Sequence, residues 1–398
     1  MNTEKLVIWV YVFIALRLAA DQLLSPFLFT TLIRIFEIFC VAGMFGCTLI
    51  VWAKGAGVRY RGWTLFLILL FALNCIGIMA RGHFGGGLKE IVMNNLNGDD
   101  GILAYTLPFL ILSLPNRRYF RSILNVLFFS VLLIIPIWLL NITELVREEH
   151  YGEAIGVYLP FYGTVLLLFH SKLSRRKHLL VLVIYFIYLL LMVLNARRNV
   201  IVSLVLYFGI AFIVGNLALF RSNRKVVLGG IVAAVLLFGA VMAGWQSLSQ
   251  SVFSRLIDRA KDDTRSRVEL LFLVDMSSAP ASDWIFGRGM DGAYYQLVEN
   301  AEENSITYDR KGIETGYLHM ILKGGLIYVL LILAFLFTAF IKGLKSGKTL
   351  LQGLACFLPV YLLEMYMTNP VSFFAVRTVI FWLIVSVCFQ FSQSSRKV

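Results

Sequence analysis

The sequence predicts an all-α, polytopic membrane protein with about twelve spans and one large loop on the outer face. Three observations predict it. Apolar runs of bilayer-crossing length recur along the whole chain. The short loops between them alternate between basic and acidic. One long polar stretch, residues 247–313, interrupts the series between the ninth and tenth runs.

Composition fits the first observation. Hydrophobic residues make up 59% of the 398 and charged residues only 15%, whereas soluble domains are nearer half apolar and a quarter charged. The mean hydropathy is +0.80. A span needs roughly 20 mainly apolar residues, and such runs lie near 6–24, 31–53, 62–80, 101–115, 121–141, 154–170, 178–196, 199–220, 226–246, 314–341, 350–367 and 371–391. These organise residues 1–398 as a single transmembrane domain. Met1 to Lys5 is short and polar and leads into the first run without a small-residue cleavage site, so that run reads as a retained helix.

Loop charge sets the orientation. Lys54, Arg59 and Arg61, then Arg117, Arg118 and Arg121, then Lys172, Arg175, Arg176 and Lys177, then 221–225 and 342–348, carry cations and no acids. Asp99, Asp100, Glu144, Glu148, Glu149 and the acids of 247–313 lie on the opposite set of loops. Cytoplasmic loops collect Lys and Arg, so both termini are expected in the cytoplasm, which agrees with an even number of spans. The same rule accounts for the net charge of +13. No nucleic-acid motif accompanies that charge, so no nucleic-acid partner is expected.

The long loop, 247–313, is too short to carry a core of its own and is expected to cap the outer face, with a helical stretch near 252–276. The five cysteines all fall in apolar runs and make no CxxC or Cys/His spacing, which argues against a disulfide framework or a zinc site. Neither a metal nor a cofactor is expected.

A few residues break the charge rule. Arg197 and Arg198 sit at an outer turn between two spans. They read either as interfacial snorkelling residues or as an anion site, because guanidinium grips phosphate in bidentate fashion. The loop adds Arg255, Arg259, Lys261, Arg265, Arg267 and Arg288 beside Asp258, Asp262, Asp263 and Glu269, part of which is a solvated helix face such as the Arg265/Glu269 pair. Glu314 opens the tenth span, where a carboxylate serves either the helix dipole or as a general base. His319 reads as a polar lining residue. Arg81, His83, the run Gly85–Gly87, Tyr151 and Arg377 complete the outer polar set. Glu37 and Glu364 lie inside spans, where burial with a partner is one reading, and the sequence leaves their role open. The triple glycine lacks the order of a phosphate-binding loop.

Three local patterns, in order along the chain, resemble the superfamily of O-antigen polymerases and O-antigen ligases. Asn195-Ala196-Arg197-Arg198-Asn199-Val200 is similar to the family's serine-arginine-small motif at the outer end of a mid-chain span. Ser266-Arg267-Val268-Glu269, followed by Ile285-Phe286-Gly287-Arg288-Gly289-Met290, is similar to its loop arginine and aromatic-glycine-x-glycine turn. Glu314-Thr315-Gly316-Tyr317-Leu318, leading to Lys323-Gly324-Gly325-Leu326, is similar to its histidine-asparagine-x-tyrosine-leucine motif before a glycine-rich span. The likeness covers roughly 180–340. Glu314 stands where ligases usually have histidine, which favours a polymerase.

The resemblance implies a GT-C-like fold and a metal-independent, inverting glycosyltransferase of the bacterial inner membrane. Its substrate would be an undecaprenyl-pyrophosphate-linked oligosaccharide, with membrane lipid and a chain-length regulator as further partners. The implied catalytic residues are Glu314, Arg267 and Arg198, with Arg197, Arg288, Tyr317, His319 and Arg377 on the pyrophosphate or glycan. A ligase acting on lipid A-core, and a lipid-linked sugar transporter, are the alternative readings. Transporters usually show paired repeats, and the sequence shows none.

Overall fold

The computed structural model of the chain describes residues 2–24, 30–82, 101–132, 165–166, 174–194, 198–215, 264–300, 303–313, 315–346, 348–367 and 374–394. Among them the chain is mostly helical. The amino-terminal part holds α1 (Thr3–Leu24), α2 (Thr30–Ala53), α3 (Trp63–Ala80), α4 (Ile102–Ser113), α5 (Phe120–Leu132), α6 (Arg175–Leu194) and α7 (Arg198–Gly215). The polar segment holds α8 (Thr264–Ser277), the short α9 (Ala281–Phe286) and two strands, β1 (Tyr294–Asn300) and β2 (Glu303–Arg310). Three long helices close the chain: α10 (Gly316–Leu344), α11 (Thr349–Met367) and α12 (Val376–Ser394).

Among the described residues, α2, α3 and α10 are long and apolar enough to cross a membrane, and shorter apolar stretches lie in α4, α5, α7, α11 and α12. The spans expected near 31–53, 62–80 and 350–367 fall on α2, α3 and α11 almost residue for residue. The expected spans 226–246 and, apart from 165–166, 154–170 lie outside the described residues, so the number of spans rests on the sequence alone.

The all-helical expectation is corrected at one place. β1 and β2 pair antiparallel, with Tyr294 opposite Arg310 and Val298 opposite Ile306, and the register shifts between Val298 and Asn300. Tyr294, Tyr295 and Val298 on one strand and Ile306, Thr307 and Tyr308 on the other are the β-branched and aromatic types that suit a pleated surface. A reading tuned to span-length apolar runs passes over strands this short.

α10 is the centre of the bundle, in contact with α3, α9, α11 and α12. Its aromatic residues meet those of three neighbours: Phe71 of α3 stacks on Tyr328 at 5.8 Å and meets Phe335 at 5.2 Å, Tyr105 of α4 lies 6.2 Å from Tyr328, and Trp382 of α12 lies 5.1 Å from Phe335. Phe109 of α4 closes the group 5.5 Å from Phe71. α12 is apolar on every side and is buried from Val376 to Phe389, as expected for a helix wrapped by others. α2 and α3 behave differently. Phe39, Leu49, Trp63, Phe66, Leu69 and Leu73 are all exposed. A patch of this kind is a liability in water, but it is the ordinary surface of a helix that faces lipid.

Near the Lys342 end of α10, the buried polar groups are neutral. Asn116 accepts from Tyr11 Oη at 2.9 Å and donates to the Ile111 carbonyl at 2.7 Å and to Ser386 Oγ at 2.9 Å. Gln390 donates to Ser386 Oγ and to the Leu114 carbonyl, both at 2.8 Å, and accepts from the Arg117 N–H at 2.9 Å. Beside them, Tyr60 in the α2–α3 loop donates to the Leu112 carbonyl at 2.7 Å, and burial pushes its hydroxyl pKa up to about 12.

Candidate functional site

The other end of α10 is built around a break. Gly325 has φ 70° and ψ −173°, so the helical hydrogen-bond ladder stops there and resumes beyond it. Broken backbone at membrane depth is tolerated where protein re-satisfies the freed groups. Here the turn Phe286-Gly287-Arg288-Gly289 does so. The Arg288 N–H donates to the Leu322 carbonyl at 2.7 Å and the Gly289 N–H to the Lys323 carbonyl at 3.0 Å. The next residue, Met290, donates its N–H to the Ile78 carbonyl in the last turn of α3 at 3.1 Å.

Two glycines make this approach possible. A Cβ on Gly325 would lie 2.1 Å from the Ile285 carbonyl oxygen, and one on Gly287 would lie 2.5 Å from the Gly324 nitrogen. Both also have positive φ, 70° and 73°, which other residues adopt at a cost. The glycines therefore serve backbone contact rather than flexibility.

Two cations bracket the turn and take up its carbonyls. Arg81, just beyond α3, donates through Nη1 to the Gly287 carbonyl at 2.6 Å, through Nη2 to the Phe286 carbonyl, and through Nε to the Gly77 carbonyl at 3.1 Å. Lys323 is fully buried, and its Nζ donates to the carbonyls of Met290 at 2.8 Å and Gly292 at 3.0 Å. A lysine is almost never buried without partners, and these carbonyls hold it against the loop.

Arg288 turns away from the break and lies among carboxylates. Its Nε donates to Asp283 Oδ2 at 3.0 Å, and its Nη1 donates to Asp275 Oδ2 and to the Ala293 carbonyl at 2.8 Å. Burial works against its charged form, yet the two carboxylates more than offset that and raise its pKa above the usual arginine value. Phe272, Met276 and Tyr294 pack beneath, with Phe272 edge-on to Tyr294 at 5.7 Å, so α8 and β1 form one small apolar base for these charges.

A third contact ties the loop to the mouth of α10. Thr315 Oγ1 donates to Glu269 Oε1, which brings α8 against the start of α10. Arg267 lies two residues before Glu269 on α8, and position 314 immediately precedes Thr315.

The other predicted residues take these places. Arg198 is the first residue of α7, whose Tyr207 meets Phe357 and Tyr361 of α11 at 5.3 and 6.2 Å. Tyr317 is half-buried and donates to the Leu362 carbonyl at 2.8 Å. His319 has no exposed surface, and its Nδ1 accepts the Ile313 N–H at 3.4 Å, so it braces the entry to α10 from inside rather than lining an open cavity. Arg377 is buried in the first turn of α12, and its carbonyl accepts from Tyr361 Oη at 2.8 Å. Glu314, Arg197, His83, Gly85–Gly87 and Tyr151 lie outside the described residues. Among the described residues, no three His, Cys, Asp or Glu side chains gather as a metal site.

Glu37, whose role the sequence leaves open, is buried with a partner. Arg17 Nη1 lies 2.7 Å from Glu37 Oε1, with the two side chains 3% and 0% exposed, and Arg34 reaches the other carboxylate oxygen at 2.8 Å. Arg17 also lies over the Phe374 ring, 5.5 Å from its centroid. Both members of the buried pair sit seven residues inside their helices, about 10 Å from the ends.

Sequence reasoning passed over Arg17, Asp275, Asp283 and the part played by Lys323. A signal existed for two of them: an ionisable residue within an apolar run, as at positions 17 and 323, calls for a buried partner. Nothing local distinguishes Asp275 and Asp283 from other loop acids.

Compared with known proteins, the chain matches no family model and no curated protein.

Proposed function

We propose that the protein is a glycosyltransferase of the bacterial inner membrane, with both termini cytoplasmic. It joins undecaprenyl-pyrophosphate-linked repeat units into O-antigen, capsular or exopolysaccharide. The Glu269–Thr315 contact carries this reading. It joins two segments that each resemble the polymerase and ligase superfamily: α8, which bears Arg267, and the start of α10, which follows Glu314. The docked Phe286-Gly287-Arg288-Gly289 turn supports it, because it fastens the same loop to the broken part of α10.

In the proposed reaction, an acceptor sugar hydroxyl attacks the anomeric carbon of the donor with inversion. The new bond joins the acceptor oxygen to that carbon, and the carbon–oxygen bond to pyrophosphate breaks. Glu314 takes the hydroxyl proton. The pyrophosphate leaves with the bonding pair, and Arg198 and Arg267 stabilise the charge that develops on it, with Arg197 alongside. The leaving group is already activated, so the chemistry needs no metal. Arg288 supports the loop through Asp275 and Asp283.

The test is chain assembly in detergent from purified lipid-linked repeat units, read as a ladder on a gel. Arg198→Ala and Arg267→Ala are each expected to slow assembly by about 100-fold or more, the usual loss when one charge-stabilising donor is removed. Glu314→Gln should leave single units unjoined. Transfer to added lipid A-core with no ladder would make the protein a ligase. Passage of labelled lipid across proteoliposomes with neither product would assign the arginines to transport.

A further inference from the structure

A groove of about 800 Å³ opens between α3, α9 and α10. Arg81, Asp283 and Arg288 line one end of it, and Leu70, Leu73 and Ile327 lie further along. α3 sets the track, because residues 70, 73, 77 and 81 recur on one helical face. Leu70 and Leu73 are 39% and 67% exposed, so the track opens sideways, toward lipid. From Leu70 to Arg81 the helix rises about 16 Å, roughly half of a hydrocarbon core about 30 Å thick. From its apolar end to its charged end the groove is therefore about one leaflet deep.

The charged end has bonding capacity to spare. Arg81 commits three N–H donors to the Gly77, Gly287 and Phe286 carbonyls, out of the five a guanidinium carries. Arg288 commits Nε and Nη1 to Asp283, Asp275 and the Ala293 carbonyl, leaving Nη2. Asp275 and Asp283 already hold Arg288, so among the described residues the guanidinium at this end without a carboxylate bound to it is Arg81, and its spare N–H donors, with Arg288 Nη2 beside them, suit a phosphate through charge-assisted hydrogen bonds. The floor is open as well: a Cβ added at Gly77 would meet nothing within 4 Å.

We propose that this groove holds one anionic phospholipid from the leaflet beside the 264–313 segment. Its phosphate sits against Arg81 and Arg288, and one acyl chain runs along Leu70, Leu73 and Ile327. The depth of a single leaflet selects a glycerophospholipid over a long polyprenyl chain. The same Arg81 that grips the phosphate holds the Phe286 and Gly287 carbonyls, so the bound lipid bears on the docking of the loop. This lipid site shares the docked turn with the glycan chemistry proposed above but does not rest on that reading, because lipid retention is read without any glycan present.

The test is native mass spectrometry of the full chain released from detergent, titrated with phosphatidylglycerol, phosphatidylcholine, undecaprenyl phosphate or inorganic phosphate. One phosphatidylglycerol should be retained with a preference over phosphatidylcholine of about tenfold, which corresponds to 1.4 kcal/mol. Gly77→Leu sends a side chain into the floor from a Cβ that meets nothing within 4 Å, and it should lower retention by about tenfold or more at an unchanged melting temperature. Arg81→Gln should abolish the headgroup preference, although it also loosens the turn, so Gly77→Leu is the deciding variant. Equal retention of the two phospholipids overturns the proposal, as does full retention by Gly77→Leu. Displacement of phosphatidylglycerol by undecaprenyl phosphate or by inorganic phosphate alone would also overturn it, by assigning the groove to another occupant.

Discussion

At the Lys342 end of the bundle, Asn116, Ser386 and Gln390 bury amides and a hydroxyl, and the two amides spend every N–H on each other's neighbours or on backbone carbonyls. At the opposite end charged groups surround the break in α10, and one of them, Lys323, is fully buried. Lys323 and Arg81 hold carbonyls of a loop, Arg288 is held by two carboxylates, and both arginines keep donors in reserve. A closed neutral network fixes helices relative to one another and has nothing left to offer a ligand. A charged cluster built on a broken helix and a docked turn costs more to assemble. Charged groups packed among apolar helices are costly and tend to mark functional sites, so binding and chemistry are expected at the loop end and not at the Lys342 end.

That contrast can be tested from its strongest consequence to its weakest. Gly325→Val places a side chain where the Ile285 carbonyl oxygen already sits, and strain plus overpacking should cost about 4 kcal/mol or more. The expected result is little monodisperse protein after extraction. A normal yield and melting temperature would mean that the turn does not dock as described.

Glu37→Gln leaves Arg17 buried without its carboxylate, which should cost about 3–5 kcal/mol in thermal unfolding. The double variant Arg17→Met/Glu37→Met should recover most of that loss. If the single and double variants are equally damaged, the pair is not the interaction that matters at that position.

Asn116→Leu removes the hydrogen bond that Tyr11 Oη donates and two that Asn116 donates, at a cost of about 1–3 kcal/mol. It should leave lipid preference and glycan assembly as they are in the parent protein. Lys323→Met removes the buried cation between the Met290 and Gly292 carbonyls and should cost about the same. Unlike Asn116→Leu, it should also lower assembly activity, because it frees the loop. Equal activity in both variants would erase the functional difference between the ends. Tyr60→Phe, which loses one hydrogen bond to the Leu112 carbonyl, is the smallest effect, about 1 kcal/mol in the same unfolding assay.

Much of the architecture was legible because membrane helices announce themselves locally. The limits of α2, α3 and α11 follow from where apolar runs meet Lys54, Gly62 and Thr349, and a span needs only its own residues to be recognised. The β1–β2 hairpin was not legible, because its residues read equally well as a polar loop until Tyr294 finds Arg310. The candidate site was legible in part. Arg288 and the glycines around it stood out as a motif, but their work depends on a distant segment: Gly287 and Gly325 are glycines for the sake of each other's backbone. Arg288 drew notice as a free cation for phosphate, and only the fold shows Asp275 and Asp283 already beside it.

The sequence by itself determined that this chain is built of apolar helices, which segment is polar, and which residues carry charge where charge is costly. Those properties reside in single segments, because hydropathy and helical period need no partner. The tertiary structure alone decided that the polar segment plugs a break in α10, that Lys323 and Arg81 hold its carbonyls, and that Arg17 meets Glu37. Each of these is a pairing between residues far apart in the chain. The burial that makes an unpaired group costly arises only when helices pack, and which partner removes that cost is a matter of geometry that no local pattern encodes.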